Sequence, residues 1–330
     1  MTEPVRYGII GVGGFGKHRR QTLRQAGGFE MLGGVDVRGE ALVEAEKEEG
    51  RPLQRYVSVE ALAADPRIEA VFISTPAYRH VEQAMTVAKV GKAIFVEKPL
   101  GHDPKTCLEL VEYCEKKHIP HGHGFASRYK PIWQYVKQLL ETRTLGQVVS
   151  VSAATMHAGG LAAPPDNWRF LAGKNPGGPL FQCGIHEIDN LRFLFGEGQW
   201  LAGYVHRTIT PSPTDDSYVL LGAFGGVPVT LHSHYVAAYR HAMEIYGTKG
   251  DLFITEYPQK LEQKFTDLKS GFEPVFDIQE KIPPTDAEGD SLRDFAAAVR
   301  ERRQPKMNGR EGLKTLDLVF AATKIATEIQ

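Results

Sequence analysis

Cysteine is scarce in this chain, with 3 among 330 residues. Cys107 and Cys114 stand seven apart on a stretch that reads as one helix, a spacing that does not suit a bridge. A disulfide framework is therefore excluded, and a reducing, cytoplasmic setting is expected. Long apolar runs are missing as well, and none approaches the roughly 18 residues of a membrane span. Met1 to Arg6 is polar and leads straight into Tyr7-Gly8-Ile9-Ile10, so no secretory leader is expected. Charge of one sign is not in excess either: 39 basic and 40 acidic residues leave a formal charge of −1. That balance argues against a nucleic-acid footprint or a polybasic membrane surface and points to a small-molecule partner. What remains, 42% hydrophobic and 24% charged residues, is the composition of a globular protein long enough for two domains.

Up to about residue 124 the pattern repeats a short apolar run followed by a helical stretch, the rhythm of a parallel sheet with crossover helices. The runs centre on Tyr7–Ile10, Met31–Val35, Ala70–Ser74 and Ala93–Val96, with a weaker strand at Arg55–Val57. Helices are predicted near Phe15–Gln25, Glu40–Glu49, Val81–Val90 and Pro104–Lys117, the last opened by the N-cap Asp103 and a first-turn proline. From Phe125 onward longer alternating runs, such as Val148–Ser152, Tyr218–Leu221 and Val227–Tyr235, predict an open, mainly antiparallel sheet. Two helices follow, near Ser291–Arg303 and Glu311–Ile329. The expected fold class is thus α/β, with a doubly wound parallel sheet over residues 1–124 and a second α/β domain over 125–330. The stretch His157 to Pro179 lacks periodicity and is longer than most loops of compact domains, so it reads as a functional loop.

Gly11-Val12-Gly13-Gly14-Phe15-Gly16 reads G-x-G-x-x-G directly after the first strand and opens the first helix. Gly11 permits the tight turn, Gly13 lets the backbone approach a pyrophosphate, and Gly16 lets helix and strand pack closely. Gly14 and Phe15 complete the turn at the positive end of the helix, where an anion is favoured. Asp36, at the end of the second strand, is placed to accept hydrogen bonds from an adenosine ribose, which favours NAD; Arg38 could pair with a 2′-phosphate and keeps NADP open. The basic run Lys17-His18-Arg19-Arg20 reads mostly as a solvated helix face. Ser74-Thr75-Pro76 and Glu97-Lys98-Pro99 end two further strands at the sheet edge where ligands bind, and Lys98 is aimed at that crevice. His80 either contacts the cofactor or caps its helix.

These residues resemble the Gfo/Idh/MocA oxidoreductases, through Gly11–Gly16, Thr75-Pro76 with His80, Glu97-Lys98-Pro99, Gly124-Phe125 with Arg128-Tyr129, Asn167-Trp168-Arg169, Gly177–Leu180, Gly184-Ile185-His186-Glu187-Ile188-Asp189 and Ile245–Gly250. The resemblance spans essentially the whole chain. It implies an NAD(P)-binding Rossmann domain (1–124), a substrate-binding and oligomerisation domain (125–330), and homodimers or homotetramers through the second sheet. It further implies that Lys98 and His186 are catalytic and that the substrate is a sugar, inositol or related polyol. The chemistry agrees: oxidising a secondary alcohol needs a base for the hydroxyl proton and a positive group for the developing alkoxide, roles that suit His186 and Lys98.

Asp189, three residues beyond His186 on one helix face, either binds substrate or orients the imidazole. Many alcohol-oxidising members carry aspartate four residues before this histidine, where this chain has Gln182, which cannot take a proton at neutral pH. His157, by position, resembles a substrate contact, and Tyr235 joins the substrate-binding candidates; Trp168 and Arg169 are candidates for the cofactor. His157, His186, Asp189 and His234 show no established ligand spacing, so no metal is expected. Two further functions stay open because of Gln182: a redox-neutral glycosidase-like enzyme with tightly bound NAD, and a non-catalytic dinucleotide-sensing regulator.

Overall fold

The computed structural model describes residues 3–162, 164, 166–256, 259–266, 274–277 and 286–328. The chain forms two compact units, one of Met1–Tyr129 with Asp286–Lys314, the other of Lys130–Thr285 with Thr315–Gln330. These compact units differ from the expected division at residue 124 in two respects. The first unit runs five residues further, and it takes back a late segment that the sequence had assigned wholly to the second domain.

The first unit alternates β1 (Val5–Ile10), α1 (Phe15–Ala26), β2 (Phe29–Val35), α2 (Gly39–Glu49), β3 (Gln54–Arg55), α3 (Val59–Ala64), β4 (Ala70–Ile73), α4 (His80–Lys89), β5 (Ala93–Val96), α5 (Pro104–Lys116) and β6 (His121–His123). Its sheet has the order β3-β2-β1-β4-β5-β6, with every pair parallel. That is a doubly wound sheet whose order reverses between β1 and β4. β4 and β5 are buried at every residue, which is why they read Ala-Val-Phe-Ile and Ala-Ile-Phe-Val without alternation. Asp103 caps α5 as expected, accepting from the Thr106 amide at 2.8 Å. α3 and β6 have 6 and 3 residues, too short for a periodic signal, and were not anticipated.

The second unit contains α6 (Pro131–Glu141), β7 (Val148–Met156), α7 (Ile185–Phe195), β8 (Gly198–His206), β9 (Ser217–Phe224), β10 (Val227–His234), β11 (Arg240–Gly247), β12 (Gly250–Glu256), β13 (Gln259–Thr266) and β14 (Pro274–Asp277). After them come α8 (Ala287–Glu301) of the first unit, α9 (Gly309–Ile325), and β15 (Ala326–Glu328). The second sheet has the order β14-β13-β12-β11-β7-β10-β9-β8-β15. It is mainly antiparallel, with parallel pairings of β10 to β7 and β15 to β8. Alternation decides its faces: Val151, Ala153, Leu220, Leu231 and Met243 are buried with Trp133, Ile188 and Leu191 of α6 and α7. Leu201, Tyr204, Val219 and Leu221 are exposed, so an apolar patch lies on the strands of this sheet.

Core packing explains the return of α8. Leu292 and Phe295 lie in the same cluster as Tyr7, Ile9, Phe72 and Phe95. The Phe295 ring sits 5.6 Å from Phe72 and 5.3 Å from Phe95, both edge-on. Burying Phe295 there contributes on the order of 2 kcal/mol, before the edge-on ring terms are counted.

Candidate functional site

In the first unit the glycine turn is held by close backbone approaches that no side chain allows. Gly11 has φ +83°, and a Cβ there would lie 2.9 Å from the Ser74 carbonyl. A Cβ on Gly16 would lie 1.8 Å from the Gly11 oxygen. The turn after β1 is thereby seated against the turn after β4, at the point where the strand order reverses. The Asp36 carboxylate accepts from the Gly13 amide at 2.9 Å and from the Arg38 amide at 2.8 Å. The Arg38 guanidinium covers Gly13, where an added Cβ would meet it at 1.9 Å, and its side chain stays largely exposed. Phe15, at the start of α1, is also exposed. The Ser74 hydroxyl is buried without a hydrogen-bond partner, whereas Thr75 donates to Gln83 at 2.5 Å, and Pro76 precedes the turn into α4. A tight glycine turn, a carboxylate at the end of β2 and an orphaned hydroxyl at the end of β4 together fit a dinucleotide.

Glu97, a cofactor candidate, and His80, read as a cofactor contact or a helix cap, both have partners within the first unit. Glu97 is buried and accepts from Arg19 Nε at 2.6 Å. Arg19, from α1, is itself 3% exposed and lies 5.3 Å from the Phe95 ring centre. Burial acts against its charge, but Glu97 more than compensates and holds the guanidinium pKa above its ordinary value. Arg20 is also buried, donating to the Val12 carbonyl and to Glu48, so the solvated-face reading holds only for Lys17 and His18. His80 is 1% exposed, with Nε2 2.6 Å from the Thr75 carbonyl and Nδ1 2.8 Å from the Pro99 carbonyl. Lys98 is half-buried between Glu97 and Pro99, and the Lys98–Pro99 peptide is cis.

In the second unit His186 and Asp189 both lie on α7, but they meet different surroundings. His186 is half-buried, while Asp189 is inaccessible and accepts from the Thr315 hydroxyl at 3.1 Å. A π-helical turn, Leu180–Gly184, precedes α7 and carries Gln182, whose amide donates to Asn175 Oδ1 at 3.1 Å. Asn175 is fully buried and donates to the Arg169 carbonyl. The Tyr235 hydroxyl donates to the Gly178 carbonyl at 3.1 Å, and burial pushes its pKa well above the ordinary value. His157 stacks 5.0 Å from the Tyr235 ring; its Nδ1 accepts from the Gly159 amide at 2.9 Å, which leaves the proton on Nε2, and burial pulls its pKa down. Trp168 and Arg169 occupy a short 3-10 turn, with the guanidinium 4.6 Å from the indole centre. His157, Gln182, Tyr235 and Arg169 thus gather around Asn175 and Gly178, while Asp189 turns to Thr315.

A buried charge cluster beside His186 was not anticipated. Glu187, the next residue on α7, pairs with Nε2 of His241, whose Nδ1 lies 3.2 Å from Glu256. Glu256 also receives Lys130 Nζ and Trp133 Nε1, each at 2.8 Å. Two carboxylates raise the His241 pKa against the opposing effect of burial; in turn His241 and Lys130 outweigh burial at Glu256 and hold its carboxyl below the ordinary range. The partners lie far apart in sequence, so no local spacing signals them.

Among the described residues no helix is long and apolar enough to cross a membrane. A doubly wound sheet with this glycine turn, followed by a second, mainly antiparallel sheet, defines a two-unit protein of the dinucleotide-binding class. Residues 5–125 match the family described as "Oxidoreductase family, NAD-binding Rossmann fold", and residues 133–253 match the "GFO/IDH/MocA C-terminal domain". The chain belongs to the Gfo/Idh/MocA family, and is an NAD(P)-dependent dehydrogenase or reductase acting on CH–OH groups. It is similar to the inositol 2-dehydrogenase of Rhizobium meliloti (strain 1021), 27% identical over 338 residues that cover 98% of this chain and 97% of that protein. It is likewise similar to the scyllo-inositol 2-dehydrogenase (NAD(+)) of Bacillus subtilis (strain 168), 26% identical with 98% and 94% covered. The structure of levoglucosan dehydrogenase in complex with NADH and levoglucosan shares the fold, with a TM-score of 0.83 at 22% identity over 98% of this chain and 97% of that one.

Proposed function

We propose that this enzyme transfers hydride between NAD and a hydroxyl-bearing carbon of a sugar, inositol or related polyol. The observation that carries the reading is the first-unit edge, where the glycine turn, Asp36 and the orphaned Ser74 hydroxyl stand at strand ends that also lead to Lys98. The nicotinamide supplies hydride acceptance when bound. The remaining work falls to this chain's side chains: His186 takes the hydroxyl proton, and the Lys98 ammonium stabilises the developing alkoxide. Asp36 supports NAD over NADP, because its carboxylate would stand against a 2′-phosphate. Gln182 supports a neutral, hydrogen-bonding contact to substrate in place of a carboxylate. We assign dinucleotide binding to the first unit, and substrate binding to the second. The apolar strand patch of Leu201, Tyr204, Val219 and Leu221 supports assembly into a homodimer or homotetramer.

The test is a screen of sugars, inositols and sugar acids with NAD+ and NADP+, followed by absorbance of the reduced nicotinamide. Turnover with at least one polyol, faster with NAD+, is expected. Tight cofactor binding without turnover on any of them would overturn the reading. Lys98→Ala is expected to abolish turnover while changing NAD+ affinity by less than about tenfold. Turnover equal to the parent's would remove Lys98 from the chemistry.

A further inference from the structure

His80 is buried, yet both of its ring nitrogens lie at hydrogen-bond distance from main-chain carbonyls of two different turns. One carbonyl belongs to Thr75, in the turn that abuts Gly11; the other belongs to Pro99, the residue after Lys98. Carbonyl oxygens only accept, and a neutral imidazole has one N–H, so the neutral ring donates to one turn and the imidazolium to both. In either form the ring is wedged between the dinucleotide turn and the lysine turn, and with 1% exposure it has no free edge for a ligand. On the other side of Lys98, Glu97 is tied to Arg19 of α1. The lysine backbone is thus braced from two helices, each of which begins at one of the cofactor turns.

We infer that His80 is a positioning residue that sets the Lys98 ammonium relative to the dinucleotide cradle by filling the space between the Thr75 and Pro99 carbonyls, each of which one of its ring nitrogens approaches. The inference rests on the reading of Lys98 as the alkoxide-stabilising group, and its test uses the reactivity of that amine so that the two can fail separately. Glutamine places its amide near the position of Nε2, and asparagine places its amide near that of Nδ1. His80→Gln therefore keeps the tie to Thr75 and releases Pro99, while His80→Asn keeps Pro99 and releases Thr75.

The experiment uses the full chain with three readouts: thermal unfolding, NADH affinity by fluorescence titration, and labelling of Lys98 by acetic anhydride, quantified by peptide mass spectrometry across pH. For His80→Gln the expected result is a Lys98 labelling rate changed by about threefold or more, with NADH affinity within about threefold of the parent. For His80→Asn it is the reverse, with NADH affinity weakened about tenfold and Lys98 labelling near the parent's. Where a polyol substrate is in hand, the first variant should lower kcat and the second should raise KM for the cofactor. His121→Leu, which alters a buried histidine that bonds to neither turn, serves as a control and should lower the melting temperature without moving either readout. Equal effects of the Gln and Asn variants on both readouts would show a merely structural histidine and overturn the inference, as would parent-like values for both. Persistent turnover in Lys98→Ala, with the split intact, would instead overturn the role of the lysine alone.

Discussion

Each unit buries a histidine with both ring nitrogens engaged, and the two histidines respond to their surroundings in opposite directions. His80 in the first unit faces two carbonyls, and burial pulls its pKa below the ordinary 6.5. His241 in the second unit faces two carboxylates, and its pKa is raised despite burial. His80 is the deeper of the two, and the formal charge on the partners differs. A dipole at hydrogen-bond distance does not repay the removal of a cation from water, whereas two anions do. When His241 is protonated the cluster closes as a formal balance: Glu187 and Glu256 against Lys130 and the imidazolium.

The comparison is broken most directly at His241. His241→Leu leaves two buried carboxylates facing a single lysine and should destabilise the fold by about 3 to 5 kcal/mol, read by calorimetry. Adding Glu187→Leu should restore part of that loss, and a strictly additive pair of losses would show that the two groups do not interact.

Acid and base should separate the strands around His80, His121 and His123 from the helix beside His241. His80, His121 and His123 all have lowered pKa values, His123 down to about 3, so below pH 6.5 the unfolded chain binds protons that the folded first unit refuses. Stability of that unit then falls as pH falls, by up to about 1.4 kcal/mol per pH unit for each such histidine. His241 behaves inversely: its contribution is full below pH 6.5 and is lost as pH rises through its raised value. Hydrogen exchange at stepped pH, corrected for intrinsic rates, should show β5 and β6 loosening in acid and α7 loosening in base. His157 and His234 of the second unit also have lowered values, so the contrast is local: the same pH response at α7 as at β5 and β6 would contradict the charge assignments.

The smallest effect is expected at the other brace of Lys98. Arg19→Lys keeps the charge facing Glu97 but loses the planar contact with Phe95, and should cost about 1 to 2 kcal/mol in chemical denaturation. A change within error would place the value of that pair in charge alone.

What could be read from the sequence was whatever is enforced locally. Gly11 and Gly16 are required by backbone approaches within one turn and its neighbouring strand ends, and the Asp103-Pro104 start of α5 is a four-residue matter. Arg19 was misread because Lys17-His18-Arg19-Arg20 looks like a solvated face, and the carboxylate that buries it is 78 residues away. Asp189 shares a helix face with His186, yet its partner Thr315 is 126 residues further on. The His241 cluster joins four elements and leaves no spacing to find. Periodicity reports which face of an element is buried, and it is silent on what that face will meet.

The return of α8 has a consequence for how the protein is made. Phe72 and Phe95 leave the ribosome early, but the ring that packs against both, Phe295, is translated only after all of Lys130–Thr285. At about 5 to 20 residues per second that interval is on the order of ten seconds, far longer than a helix or hairpin needs to form. Throughout it the nascent first unit holds its strands with a seam of its core bare, a state exposed to chaperones and to association with its neighbours on a polysome. A gene cut after Tyr129 would make that state permanent, and its product would be a half-closed core in place of an independent nucleotide-binding domain.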